Sequence, residues 1–105
     1  MTDPWVERFK SEAYPRLVGK YHPEATILFG SRITGHATED SDIDAIVVSG
    51  SFRGTPFVNR PGQLLSFLRF PKHIDFLCYL PSEFERVKLS SCVVMEALDH
   101  GVALP

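Results

Sequence analysis

Three aspartates stand out by their spacing and by their neighbours. Asp42 and Asp44 are two positions apart and run directly into Ala45-Ile46-Val47-Val48. If that run is a strand, side chains two apart share a face, with α-carbons roughly 6.6 Å apart. Two carboxylates so placed can share a cation, while Ile43 between them turns to the core. Asp75 has the same setting, between Ile74 and Phe76 at the start of a later apolar run. If the two strands pair, Asp75 reaches the face that carries Asp42 and Asp44. Strand interiors disfavour Asp, and unpaired carboxylates crowded on one face raise one another's pKa. A divalent cation removes that cost. Oxygen-only ligation suits Mg²⁺, which keeps several waters and takes phosphate oxygens as further ligands. The plainer reading of an isolated Asp-x-Asp is a solvated strand start, but it leaves Asp75 without a reason.

The second feature lies upstream. Gly30 closes the apolar run Ala25–Phe29, and Ser31-Arg32-Ile33-Thr34 leads to Gly35. Glycine lets backbone approach a phosphate closely. If a helical turn starts here, the amides of Ser31 and Arg32 point at an anion site, and the Ser31 hydroxyl can donate to a phosphate oxygen. Arg32 can pair with phosphate or with an acidic residue. A Gly-Ser turn alone is weak; it takes its meaning from the carboxylates that follow.

These residues need elements to hold them. Asp3-Pro4 is a helix start, a capping carboxylate followed by proline at the first helical position. Trp5, Phe9, Ala13, Leu17 and Tyr21 recur every fourth residue, which predicts an amphipathic helix. Pro15 should kink it near Tyr14, and His22-Pro23 should end it. Strands are predicted over Ala25–Phe29, Asp42–Val48 and His73–Tyr79. Ser49–Arg60 reads as a loop with no assignable motif. Pro61 opens a helix carrying Leu64, Leu65 and Leu68, ended by Pro71. Another helix begins at Pro81-Ser82-Glu83, and a last one, capped by Ser90 or Ser91, runs to Gly101. The sum is an α/β (α+β) domain: a small mixed sheet of about three strands backed by helices. So small a sheet is expected to leave one face open to a ligand.

Composition narrows the field. A chain of 105 residues suits one domain spanning 1–105. With 44% hydrophobic and 23% charged residues, it has the usage of a folded globular protein. Eleven basic and 13 acidic residues leave a net charge of -2, so no long nucleic acid is expected as partner. No stretch has the apolar length of a membrane span, and the polar start Met1-Thr2-Asp3-Pro4-Trp5 lacks an export signal's apolar core. A cytoplasmic protein is expected. Cys78 and Cys92 show no metal or disulfide pattern and are expected to be buried thiols. The four histidines show no metal spacing.

Gly30-Ser31-Arg32 through Gly35, then Ser41-Asp42-Ile43-Asp44, then Asp75-Phe76, resemble the polymerase-beta-like nucleotidyltransferase superfamily, and the length resembles its minimal nucleotidyltransferase branch. The resemblance covers about Ala25 to Tyr79, and the ending through Gly101-Val102 is similar to the family's C-terminal helices. Ile33 and Thr34 depart from it, since many members carry a small and then a basic residue there.

The resemblance implies transfer of a nucleoside monophosphate, AMP from ATP, to an acceptor hydroxyl. It implies nucleotide binding by Gly30, Ser31 and Arg32, and two Mg²⁺ ions on Asp42, Asp44 and Asp75, with Asp75 also the base for the acceptor. It further implies a protein acceptor: relatives of this size pair with a helical HEPN protein as antitoxin to its toxin, and can modify it with AMP. A homo-oligomer is compatible with so small a domain. Two other readings stand beside this one. The first is a catalytically weak binding module that neutralises a helical partner by contact. The second is a small-molecule adenylyltransferase, whose usual extra helical domain the chain lacks.

Overall fold

The computed structural model describes residues 3–105; Met1 and Thr2 of the polar start lie outside the described residues. Asp3 caps helix α1 (Pro4–Arg8): its Oδ1 accepts from the amides of Trp5 at 2.9 Å and Val6 at 3.1 Å. The chain continues through a π-helical turn (Phe9–Ala13) into α2 (Tyr14–Tyr21). The Tyr14 amide donates to the Phe9 carbonyl, a five-residue reach in place of four. Pro15, next in line, has no amide to donate and cannot continue a regular helix from the preceding turn. The kink expected at Pro15 thus takes the form of a π turn. His22, left-handed at φ 44, ends α2.

Strand β1 (Ala25–Phe29) leads into a single turn, α3 (Ser31–Thr34), and after a loop into β2 (Ile43–Val48). Two 3-10 turns (Gly50–Phe52 and Phe57–Asn59) precede α4 (Arg60–Leu68). Then come β3 (Ile74–Tyr79), α5 (Pro81–Val87), α6 (Cys92–His100) and β4 (Val102–Ala103). The sheet order is β3-β2-β1-β4, with β2 and β3 parallel and the other pairs antiparallel. The mixed α+β sheet is as expected, but it has four strands. The fourth is two residues long, too short for any alternation to mark it.

Helices pack on both faces, but α6 leaves exposed the end of its face that carries Asp75, so the open face expected from the sequence is reduced to that end. On one side Phe9, Leu17, Leu64 and Leu68 pack on Leu28, Ala45, Val47, Phe76 and Cys78. On the other, Val94 and Ala97 of α6 pack on Ile27, Ile46 and Val48. Each Leu, Ile, Val or Phe among these, fully buried, contributes about 2 kcal/mol. The segment 49–60 is also ordered. Phe52 is fully buried against Tyr21, ring centroids 5.5 Å apart. Arg60, buried, donates to the carbonyls of Thr55 and Cys78 and to Glu83 Oε1 at 2.6 Å. Helix α4 stops at Arg69, left-handed at φ 48, before Pro71 is reached. Ser91 caps α6. Cys78 is buried as expected but Cys92 is exposed, because it sits at the outward start of α6. Among the described residues no helix is long and apolar enough to cross a membrane.

Candidate active site

The strand registers bring the key residues into one row. Phe29 lies opposite Asp44 in the antiparallel β1–β2 pair, and Asp44 lies opposite Asp75 in the parallel β2–β3 pair. Strand alternation puts this row on the face that α6 covers further along, through Ile46 and Val48. Ile43 and Ile74, the residues before the two aspartates, are buried in the opposite core. The parity expected from the sequence therefore holds, and the inferred pairing of the two strands is present. Asp44 is half-buried, while Asp42 and Asp75 are exposed.

Gly30 follows Phe29 and so comes up against Asp44. A Cβ built on Gly30 would fall 2.2 Å from Asp44 Oδ2, and its φ is +82. Only glycine meets both conditions. The Gly30 carbonyl accepts the amides of Ile33 and Thr34, and the Ser31 carbonyl those of Gly35 and His36. The turn is thus closed from Gly30 onward, which leaves the amides of Ser31 and Arg32 ahead of the first closing bond. Ser31 is half-buried beside them.

Electrostatically the site is unbalanced. Asp44 is pushed up from the ordinary carboxylate range, first by burial, then by the nearby charges of Asp75 and Asp42. None of the five ion pairs among the described residues involves these three aspartates. Oxygen donors with a surplus of negative charge fit a hard divalent cation. The aspartates do not, however, close into one cluster: among the described residues no three His, Cys, Asp or Glu side chains are placed to hold a single ion. Asp42 precedes β2 instead of lying in it, so strand geometry does not fix its aim as the sequence suggested.

Arg32 departs further from expectation. Its guanidinium donates to Asp3 Oδ2 at 2.8 Å, to the Ser41 carbonyl at 2.8 Å, and to the carbonyls of Thr38 and Glu39. Its side chain is only 6% exposed. It pairs with an acidic residue, one of its two expected partners, and four hydrogen bonds leave little of it for phosphate. His73 is exposed.

The family model of the nucleotidyltransferase domain matches residues 11–102, and the chain belongs to that family, within the polymerase-beta-like superfamily. It is a nucleotidyltransferase by family. Among solved structures, BolA1 from Arabidopsis thaliana is similar in fold, with a TM-score of 0.55 and 19% identity over 77% of this chain and 96% of that one. A protein of Sulfolobus solfataricus, described as a candidate nucleotidyltransferase, is 24% identical with a TM-score of 0.44, covering 94% of this chain and 71% of its own. No curated protein matches the sequence.

Proposed function

We infer that the chain transfers AMP from ATP to a hydroxyl of a protein partner, with Asp42, Asp44 and Asp75 binding Mg²⁺ and Gly30 and Ser31 binding phosphate. The observation that carries this is the Gly30–Asp44–Asp75 arrangement. A glycine-bounded turn with free amides abuts a half-buried carboxylate that faces a second one across a parallel ladder. Asp42, Asp44 and Asp75 offer oxygen donors for the two Mg²⁺ ions that the resemblance implies, with the nucleotide's phosphates as further ligands; bound there, the ions would supply charge neutralisation at the phosphates and a lowered pKa for the attacking hydroxyl. Gly30 allows the triphosphate against the backbone, and the Ser31 amide and hydroxyl hold its oxygens. Asp75, exposed beside Asp44, takes the proton of the acceptor hydroxyl. The acceptor oxygen bonds to the α-phosphorus, the bond from that phosphorus to the bridging oxygen breaks, and pyrophosphate leaves with the electron pair.

The protein acceptor, a helical HEPN toxin with this chain as its antitoxin, is supported by the family resemblance. Exposed apolar side chains at and before α6, namely Leu89, Val93, Met95 and Leu98, add to that support. Val93, Met95 and Leu98 offer contact area on the helix that covers the Asp44 face. Incubation with Mg²⁺, α-labelled ATP and that partner should label the partner, and Asp42→Asn should abolish the label. An unlabelled partner, or equal labelling by Asp42→Asn, overturns the reading. A second reading, neutralisation by contact alone, is favoured by the three carboxylates not closing on one ion. It requires that Asp44→Asn still neutralise the partner fully.

A further inference from the structure

Arg32 ties the start of α1, distant in sequence, to the loop that follows its own turn. Asp3 serves two groups at once: Oδ1 caps α1, and Oδ2 receives Arg32. Arg32 in turn holds the loop between α3 and β2 by three carbonyls, and the last of these belongs to Ser41, the residue before Asp42. The loop is folded on itself: the Ser41 amide donates to the Thr38 carbonyl at 3.2 Å, and the Thr38 amide donates to Ser41 Oγ at 2.9 Å. Lys72, two residues before β3, donates to the Glu39 carbonyl at 2.9 Å. Asp42 lies outside the sheet ladder, so its place is set by this loop on one side and, on the other, by Ile43, whose amide donates to the His73 carbonyl at 3.2 Å.

We propose that Arg32, oriented by Asp3, is a positioning residue that sets where Asp42 presents its carboxylate to the metal-nucleotide complex. The proposal rests on the metal role inferred above for Asp42. A guanidinium suits the task because its planar fork reaches several carbonyls at once, which a lysine ammonium cannot do. The pair is nearly desolvated, with Asp3 at 16% and Arg32 at 6% side-chain exposure, so the fork is held in a single orientation. The same pair ties the start of α1 to α3 beside the Gly30-Ser31 turn.

The test uses the full chain and Mn²⁺ with ATP, read by calorimetry, together with amide exchange at Ser41. Arg32→Met should weaken Mn²⁺ binding roughly tenfold or more, the usual effect of removing a group that orients a metal ligand. In an Asp42→Asn background the same change should cost nothing further, since its effect runs through Asp42. Ser41 amide protection should fall in Arg32→Met, while protection of Val47 in β2 is retained. If Arg32→Met does not fold, Asp3→Asn carries the test, because Asn keeps the cap but removes the ion pair. Unchanged Mn²⁺ affinity in a folded variant, or equal losses with and without Asp42, overturns the proposal. Wild-type protein that binds no Mn²⁺, with Ser41 protection still lost in Arg32→Met, overturns the metal reading and leaves the clamp on the loop intact.

Discussion

The carboxylate of Asp44 rests against the α-carbon of Gly30, so closely that no side chain fits between them. Register produces this contact. Phe29 is the strand partner of Asp44, so the residue after it must pass the carboxylate as the chain turns into α3.

Gly30→Ala should therefore fail twice, by the clash with Asp44 and by the left-handed backbone. The change should cost about 2–3 kcal/mol of stability and displace Asp44. Thermal unfolding and nucleotide binding should fall together. An alanine variant with wild-type melting and binding would show that the contact is not required.

Asp44→Asn separates function from stability. Burial and two like charges disfavour the ionised Asp44, so the amide relieves a strain and the metal-free variant should melt no lower than wild type. Nucleotidyl transfer should fall roughly a hundredfold or more, as a ligand to the metal is lost. A large drop in melting temperature would mean that Asp44 is structural.

The Arg60–Glu83 pair should shape the acid limb of stability. Glu83 is held below its ordinary value of 4.5, mainly by its hydrogen bond from Arg60. A carboxylate with a lowered folded pKa stabilises the fold above its unfolded value and loses that contribution as pH falls through the folded one. Stability should thus be flat near neutrality and decline below about pH 4.5. Arg60→Met should remove that part of the decline and cost about 3 kcal/mol at pH 7. An unaltered acid limb in the variant would contradict this.

The two thiols should differ sharply in reactivity. Burial pushes Cys78 up to about 12, whereas Cys92 is exposed at the start of α6. A chromogenic disulfide reagent should titrate one thiol in the native protein and two in denaturant. Two fast-reacting native thiols would mean that the sheet opens readily around β3.

Much of the site was legible because strand parity is local. Ile43 and Asp44 must face opposite ways wherever that strand goes, and the same holds for Ile74 and Asp75. That Asp75 would lie opposite Asp44 depended on a pairing between segments some 30 residues apart, which needed the alternating pattern of both strands. The particular partners of Arg32 were not legible because three of its four acceptors are backbone carbonyls, which leave no trace in sequence, and the fourth is far away at Asp3. Segment 49–60 looked like an open loop because its order comes from two residues, Phe52 and Arg60, whose burial no local pattern announces. Strand β4 is too short to carry any pattern at all.

The register of β3 has a consequence for folding. A parallel strand that slips by one residue sends every side chain to the other face. For β3 that would drive the Asp75 charge into the core now filled by Ile74 and Phe76, and lift those two out into water. The misaligned chain would bury an unpaired carboxylate at a cost of several kcal/mol. Asp75 thus guards the assembly of its own strand: the charge that faces Asp44 in the finished sheet also penalises the misthreaded sheet in which it could not.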